Sequence, residues 1–388
     1  MKILFDLTVC QPIGNSKYHG GGIYGYILYK AIALYSPDSV VAYIDKSRFI
    51  PADILAMFSN KEIRVFDSCK VSLLELYQSG NYSFIYSPLY HPSYETIINQ
   101  GIKMVVTFHG LRALEMNRDM HEYLYANSIL DKIKAIVKYT PYYQILHKKY
   151  WHQYDYFLSH KKTTIITISE HSRSSLMYYY PNLIDKNIPV FYSPSTTNID
   201  LSSVQPFREG GYYLVLSANR WLKNSFRAIQ ALDMLYEKFP NQFRKTIVVG
   251  LNRDSKIYKK VRNKECFQFI DYVDNKDLER LYKGAYVFIY PTLNEGFGYP
   301  PLEAMKYGIP VICSPFSSVP EVCADSVIYF NPYSKEEISN RIIQLQNTEI
   351  YKKYSEKSLI RYELITNKQN KDLRNLVQFL LKIRDNNE

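Results

Sequence analysis

Tyr290–Glu321, YPTLNEGFGYPPLEAMKYGIPVICSPFSSVPE, is the stretch from which the fold can be read. The run Ala285–Tyr290 leading into it is continuously apolar and aromatic, long enough for one buried strand and too short for a helix. Gly296 and Gly298 then give a turn the backbone freedom that a close approach by another group requires. Pro301 stands where a first helical turn tolerates proline, and Gly308 and Pro310 stand where a helix stops. Val311-Ile312-Cys313 opens another strand. This order (strand, glycine loop, short helix, strand) puts the loop at the carboxyl end of a parallel sheet, facing a helix N-terminus. Partnerless N–H groups and the helix dipole favour phosphate there. Two carboxylates punctuate the unit: Glu295 before the glycines, and Glu303, expected in the helix's first turn. On spacing alone Glu303 reads equally well as an acid favoured by the dipole. A carboxylate at 295 costs electrostatic energy beside such a helix end unless it binds hydroxyls or a developing cation.

Outward from this unit, the second half of the chain alternates strand and helix. Tyr212–Ala218 reads as a strand, Asn219–Asn224 as a loop, and Asn224 as the cap of a helix whose apolar face holds Ala228, Leu232, Leu235 and Phe239. Arg220 and Lys223 in that loop would neutralise a bound diphosphate, or are simple surface charge. Ile247–Gly250 and the run ending at Val273 are further strands, and Ile328–Pro332 is the last. The first half shows the same rhythm at Lys2–Leu7, Ser39–Ile44, Phe84–Ser87, Lys103–His109, Thr164–Ser169 and Val190–Ser193. Gly20-Gly21-Gly22 reads as a loop ahead of a helix over Ile23–Tyr35, and His109 closes a strand at the end where such sheets bind ligands. The fold class is therefore α/β: two Rossmann-like, doubly wound parallel-sheet domains facing a cleft. The expected division is 1–196 and 197–367, joined by a polar linker over Ser195–Gly211 and followed by a helix over 368–388 whose apolar stripe would suit ordinary C-terminal packing.

A chain of 388 residues with 46% hydrophobic composition suits two domains that each bury a core. The formal net charge of +11 calls for an anionic partner, or is a basic surface without one. Five scattered cysteines without metal spacing fit a reducing cytosol. No signal peptide or membrane-spanning run is read, so the expected location is cytoplasmic. Residues 121–162 interleave Lys132, Lys134, Lys138, Lys148, Lys149, Lys161 and Lys162 with Tyr139, Tyr142, Tyr143, Tyr150, Trp151, Tyr154 and Phe157. Such a stretch suits the anionic inner face of the cytoplasmic membrane, or is a helical excursion with a solvated basic face. No nucleic-acid motif accompanies it, and no nucleic-acid partner is expected.

Glu295 through Met305, EGFGYPPLEAM, resembles the E-x7-E signature of retaining GT-B glycosyltransferases, specifically glycosyltransferase family 4. Gly308-Ile309-Pro310-Val311 and Ser317-Ser318-Val319-Pro320-Glu321 continue that pattern. The resemblance implies a nucleotide-sugar donor, a glycan or lipid-linked acceptor, and a last helix over 368–388 that packs back on the first domain. Lys223 and Arg220 would grip the donor diphosphate, joined by Gly21 and Gly22; Glu303 and the backbone near Val273 would meet the ribose and base. Glu295 and His109 would be catalytic, the first with Gly296, Phe297, Gly298 and Tyr299 around the donor sugar. The family's basic residue after the glycine pair is missing here, where Tyr24-Gly25-Tyr26 stands instead. The resemblance also implies transfer with retention, without a cofactor and without a metal, since no D-x-D occurs in the site loops. The reading from another class is a sugar-nucleotide-binding protein that has lost turnover.

Overall fold

The computed structural model describes residues 1–12, 19–59, 63–116, 118–126, 128–195 and 210–385. It divides into two compact units, each built on one six-stranded sheet. The first unit holds residues 1–111, 148–198 and 366–388, the second 112–147 and 199–365. The expected linker falls almost wholly on 196–209, outside the described residues.

In the first unit β1 (Lys2–Asp6), β2 (Val40–Ile44), β3 (Arg64–Asp67), β4 (Tyr82–Ser87), β5 (Met104–Phe108) and β6 (Thr163–Thr167) lie in the order β3-β2-β1-β4-β5-β6. Every pairing is parallel. A parallel sheet is covered on both faces, which explains why β2 and β5 are apolar and buried without alternation. The edge strand β3 was not foreseen; Arg64 is exposed and its neighbours are half-buried, so no apolar run marks it. Val190 makes a single parallel bridge to Thr167 rather than a strand. The order reverses between β1 and β4, and ligands of open α/β sheets bind outside the strand ends at such a reversal.

The glycines expected to form a loop there are instead the first turn of the helix Gly20–Tyr35, capped by His19, whose ring Nδ1 accepts from the Gly22 N–H at 3.1 Å. Their smallness is steric. A Cβ on Gly22 would lie 2.4 Å from the Cys10 carbonyl, and one on Gly21 would lie 2.6 Å from Leu89 Cδ2.

The second unit repeats the topology. The strands β7 (Tyr212–Val215), β8 (Thr246–Val249), β9 (Phe267–Ile270), β10 (Ala285–Tyr290), β11 (Val311–Cys313) and β12 (Ile328–Tyr329) run in the order β12-β11-β10-β7-β8-β9, again all parallel. Here the reversal lies between β7 and β10. The helix Ser225–Lys238 lays Ala228, Ala231, Leu232 and Leu235 into the core beneath them.

The segment 112–147, assigned to the first domain by the sequence reading, belongs to the second unit. The reason is long-range pairing. Leu124 joins that unit's core, Asp119 pairs with Arg227, and the Tyr125 hydroxyl accepts from the Phe226 N–H at 3.0 Å. A single helix, Thr348–Asp385, contributes to the second unit up to residue 365 and to the first from 366. In the first unit Gln369 donates to the Ser193 carbonyl at 2.6 Å and Asp372 accepts from the Tyr192 N–H at 2.9 Å.

Candidate active site

Topology alone brings two loops together at the carboxyl edge of the second sheet. One follows β7 and carries Lys223; the other follows β10 and carries Glu295. The loops are tied by backbone: the Leu293 N–H donates to the Leu222 carbonyl at 2.8 Å.

Lys223 is 5% exposed and Glu295 9% exposed, and they form an ion pair. The Lys223 ammonium also donates to the Tyr290 hydroxyl at 2.8 Å. That hydroxyl passes its own proton toward Glu295 Oε1 at 2.6 Å, and Thr292 Oγ1 donates to the same oxygen at 2.7 Å. All three donors converge on Oε1, leaving Oε2 without a hydrogen bond among the described residues. The carboxyl is thus fixed by one oxygen and offers the other.

Burial pushes the Glu295 carboxyl up. The Lys223 charge and the bonds from Lys223, Tyr290 and Thr292 outweigh it, and the group is held below the usual carboxylate range. Burial pulls Lys223 below an ordinary lysine, opposed by Glu295. The Tyr290 phenol is driven well up by burial and by Glu295, which keeps it a donor.

The Glu295 backbone is held as firmly as its side chain. Its N–H donates to Ser317 Oγ at 2.9 Å and its carbonyl accepts from Ser318 Oγ at 3.1 Å. Tyr290 and Thr292 carry no signal of their own in the sequence, and Ser317 and Ser318 stand there only as part of the pattern that resembles the family. All four lie inside the quoted stretch, close in sequence to Glu295.

Gly298 has φ +106° and precedes the helix Tyr299–Met305, so only its conformation demands glycine; a Cβ there would meet nothing closer than Val319 Cγ2 at 3.9 Å. Phe297 is buried, its ring 5.4 Å from that of Tyr299, and Gly296 is half-buried beside it. Because the helix begins at Tyr299, Glu303 sits in the second turn rather than the first, half-buried beside the phenols of Tyr282 and Tyr307. Arg220 is exposed, at the head of the turn Trp221–Lys223. Val273 is half-buried between β9 and Asp274, which caps the helix Asn275–Gly284.

Asn224 does not cap its helix by side chain. It has φ +54°, donates from Nδ2 to the Pro332 carbonyl at 2.7 Å, and accepts from Arg227 Nη1 at 2.8 Å.

In the first unit His109 and Gly21 meet Pro88 and Leu89 at the β1–β4 reversal, whereas Gly22 faces the Cys10 carbonyl and His19. His109 Nε2 lies 2.9 Å from the Pro88 carbonyl, which sets that nitrogen as the protonated one, and the ring meets Tyr24 edge-on at 4.8 Å. Asp45, Asp67 and Cys69 bring ligand atoms within 4.8 Å of one another beside β2 and β3. Asp45 is occupied by the Ser47 N–H at 2.9 Å and by Arg48 at 2.9 Å, so the cluster reads as turn structure.

With this geometry in place, known proteins give the chain its relatives. Residues 200–360 match the family model of glycosyl transferases group 1. The matched span contains Lys223, Glu295 and Glu303. O-antigen chain mannosyltransferase B of Escherichia coli is 29% identical over 194 residues, 46% of this chain and 50% of that protein. O-antigen chain mannosyltransferase RfbU of Salmonella typhimurium is 26% identical over 240 residues, 59% of this chain and 61% of that protein. The chain therefore spans little more than half the length of these relatives. Sucrose-phosphate synthase from Thermosynechococcus elongatus superposes with a TM-score of 0.68 at 14% identity, over 99% of both chains. That likeness shows the two-domain, Rossmann-like α/β fold of GT-B glycosyltransferases.

Proposed function

We propose that this chain is a retaining glycosyltransferase that moves a hexose from a nucleoside-diphosphate sugar to a hydroxyl of a glycan or lipid-linked acceptor in surface polysaccharide synthesis. The observation that carries the reading is the Lys223–Glu295 pair at the β7–β10 reversal, inside the span that matches the group 1 model. The names of the curated relatives favour mannose as the sugar.

The chemistry follows from the charges. The bond from the anomeric carbon to the phosphate oxygen breaks, and the nucleoside diphosphate departs with the electron pair. Lys223 has three N–H donors, of which Tyr290 and Glu295 take two; the third, with Arg220 and the N–H groups before Tyr299, meets the phosphate as preorganised stabilisation. Glu295 holds the sugar hydroxyls with its open oxygen and opposes the positive charge that grows on the ring. Gly296–Tyr299 line the sugar, and Glu303 with Val273 takes the ribose and base. The acceptor oxygen attacks the face the diphosphate leaves, and its proton passes to the departing phosphate. No metal or cofactor is needed in this scheme.

The proposed setting is the inner face of the cytoplasmic membrane. On the helix Ile129–Val137, Ile129, Leu130, Ile133 and Ile136 are exposed, beside Lys132 and Lys134. An apolar stripe flanked by lysines suits an anionic bilayer surface, where a lipid-linked acceptor would lie. Among the described residues, no helix is long and apolar enough to cross a membrane.

The test is a panel of nucleoside-diphosphate sugars, read by thermal shift and by release of nucleoside diphosphate with and without glycolipid acceptor. A donor that raises the melting temperature and is turned over supports the reading. A donor that binds without turnover would favour a sugar-nucleotide-binding protein, and no binding by any donor would sink both.

A further inference from the structure

Residues 112–126 reach both loops of the candidate site. Glu115 Oε2 accepts from Asn294 Nδ2 at 2.5 Å, and Asn294 immediately precedes Glu295. Four residues on, Asp119 is 4% exposed and receives both arms of Arg227, at 2.6 and 2.9 Å. It also accepts from Trp221 Nε1 at 3.3 Å and from the His121 N–H at 3.1 Å. Arg227 does not end there: the same Nη1 donates to Asn224 Oδ1 at 2.8 Å. The far end of the Asn224 amide is held by the Pro332 carbonyl at 2.7 Å.

We propose that Asp119 is a positioning residue of this site, acting through Arg227 and Asn224 to fix the left-handed turn that aims Lys223. The role rests on the reading of Lys223 as a ligand of the donor diphosphate.

The physical argument has three steps. A side chain other than glycine holds a φ of +54° only where its surroundings require it, and asparagine is the residue best able to do so. Here the requirement is met by clamping the Asn224 amide at both ends. One clamp is a backbone carbonyl that cannot move far. The other is a guanidinium on a long, flexible stem, whose position depends on what holds its remaining donors. A bidentate carboxylate fixes a guanidinium in plane and direction, which a single bond does not. Asp119 supplies that second contact, and its bond to Trp221 fixes the other end of the turn Trp221–Lys223. The turn therefore has the same carboxylate behind its first residue and, through Arg227, behind the residue after its last.

Asp119 could instead merely fasten 112–126 to the second unit, so stability and site geometry must be read separately. The variant Asp119→Asn leaves the buried Arg227 charge uncompensated and is expected to melt earlier. The double variant Asp119→Leu/Arg227→Met removes both charges and is expected to regain stability, because apolar residues often replace a buried pair without loss. Three readouts apply to the full-length chain: melting temperature, amide hydrogen exchange over 220–224, and dissociation constants for GDP and UDP. A positioning role predicts faster exchange over 220–224 in both variants. It also predicts about tenfold weaker binding, by whichever diphosphate the wild type prefers, even where melting is restored. With a turned-over donor, KM should rise while kcat stays within about twofold.

Wild-type exchange over 220–224 in the double variant would overturn the proposal, as would faster exchange with unchanged diphosphate affinity. If the wild type binds neither diphosphate, the donor-site reading fails and this role falls with it, whereas the exchange result still separates that failure from a failure of the Asp119 clamp.

Discussion

Lys223 has two partners to satisfy, the buried carboxylate that neutralises it and the phosphate it is proposed to bind. Removing Glu295 or Lys223 alone leaves an orphaned charge, which costs about 3–5 kcal/mol at a buried pair, so alanine variants would confuse stability with chemistry. Glu295→Gln keeps the shape and an oxygen for Tyr290 and Thr292. We expect its kcat to fall about 100-fold, with a smaller change in KM, in line with losing one preorganised electrostatic group. Lys223→Met/Glu295→Gln should melt closer to the wild type than Lys223→Met does. Steady-state kinetics with melting curves decide this, and a Glu295→Gln enzyme with kcat within twofold of wild type would remove Glu295 from the mechanism.

The glycines make a second contrast. Gly22→Ala forces a methyl against the Cys10 carbonyl and should cost about 1–3 kcal/mol as overpacking. Gly298→Ala would only touch Val319 Cγ2, at 3.9 Å, and should cost about 1–2 kcal/mol of backbone strain; urea unfolding with intact m-values measures both. At this scale Glu295 stands out in the sequence beside its glycines and Lys223 in the loop after a strand, but nothing local shows that the two pair. Tyr290 does not stand out, since a strand residue reads as core whichever way its hydroxyl points. Ser317 and Ser318 belong to the pattern that resembles the family, but their bonds to the Glu295 backbone are not legible in it.

The helix Ile129–Val137 inverts the usual arrangement of an amphipathic element. Ile129, Leu130, Ile133 and Ile136 are 74%, 68%, 50% and 61% exposed, while Ala135 is the buried member. Side chains that bury nothing contribute little to folding, so Ile133→Asp/Ile136→Asp should change unfolding free energy by no more than about 0.5 kcal/mol. The same pair of changes should abolish co-sedimentation with vesicles of anionic phospholipid and leave neutral vesicles unaffected. Undiminished binding by the variant would place the membrane contact elsewhere or nowhere. The basic, aromatic character of this stretch was plain in the sequence. Its attachment was not: Asp119 and Arg227 are 108 residues apart, and no local pattern announces such a pair. Strand and helix alternation was legible for the opposite reason, being a pattern of near neighbours, and the edge strand β3 escaped it by being only half-buried.

For the whole molecule, acid is the informative perturbation. Glu295 and Asp119 both have carboxyl groups held low; in each, burial works against a stronger ionic and hydrogen-bonded partner, Lys223 and Arg227 respectively. A carboxyl whose folded pKa lies below its unfolded value of about 4 contributes stability that is complete above about pH 4. That stability is lost as pH falls further, because the unfolded chain takes up the proton first. Both groups belong to the second unit. Calorimetry between pH 6 and pH 3 should therefore show the transition of the second unit falling steeply below about pH 4, and less steeply in Asp119→Leu/Arg227→Met. Equal slopes would mean that the pair carries no proton linkage.

The first unit is assembled from three stretches separated by nearly the whole chain, and the last of them is the end of the helix Thr348–Asp385. A ribosome that has delivered residues 1–198 has not yet made the segment that supplies Gln369 and Asp372, so this unit must wait, incomplete, while its companion is synthesised. Vectorial, amino-end-first folding is closed to it. The nascent chain leaves an unfinished apolar surface until that helix arrives, and a premature stop near residue 365 would strip the first unit of its last stretch while leaving every stretch of the second in place.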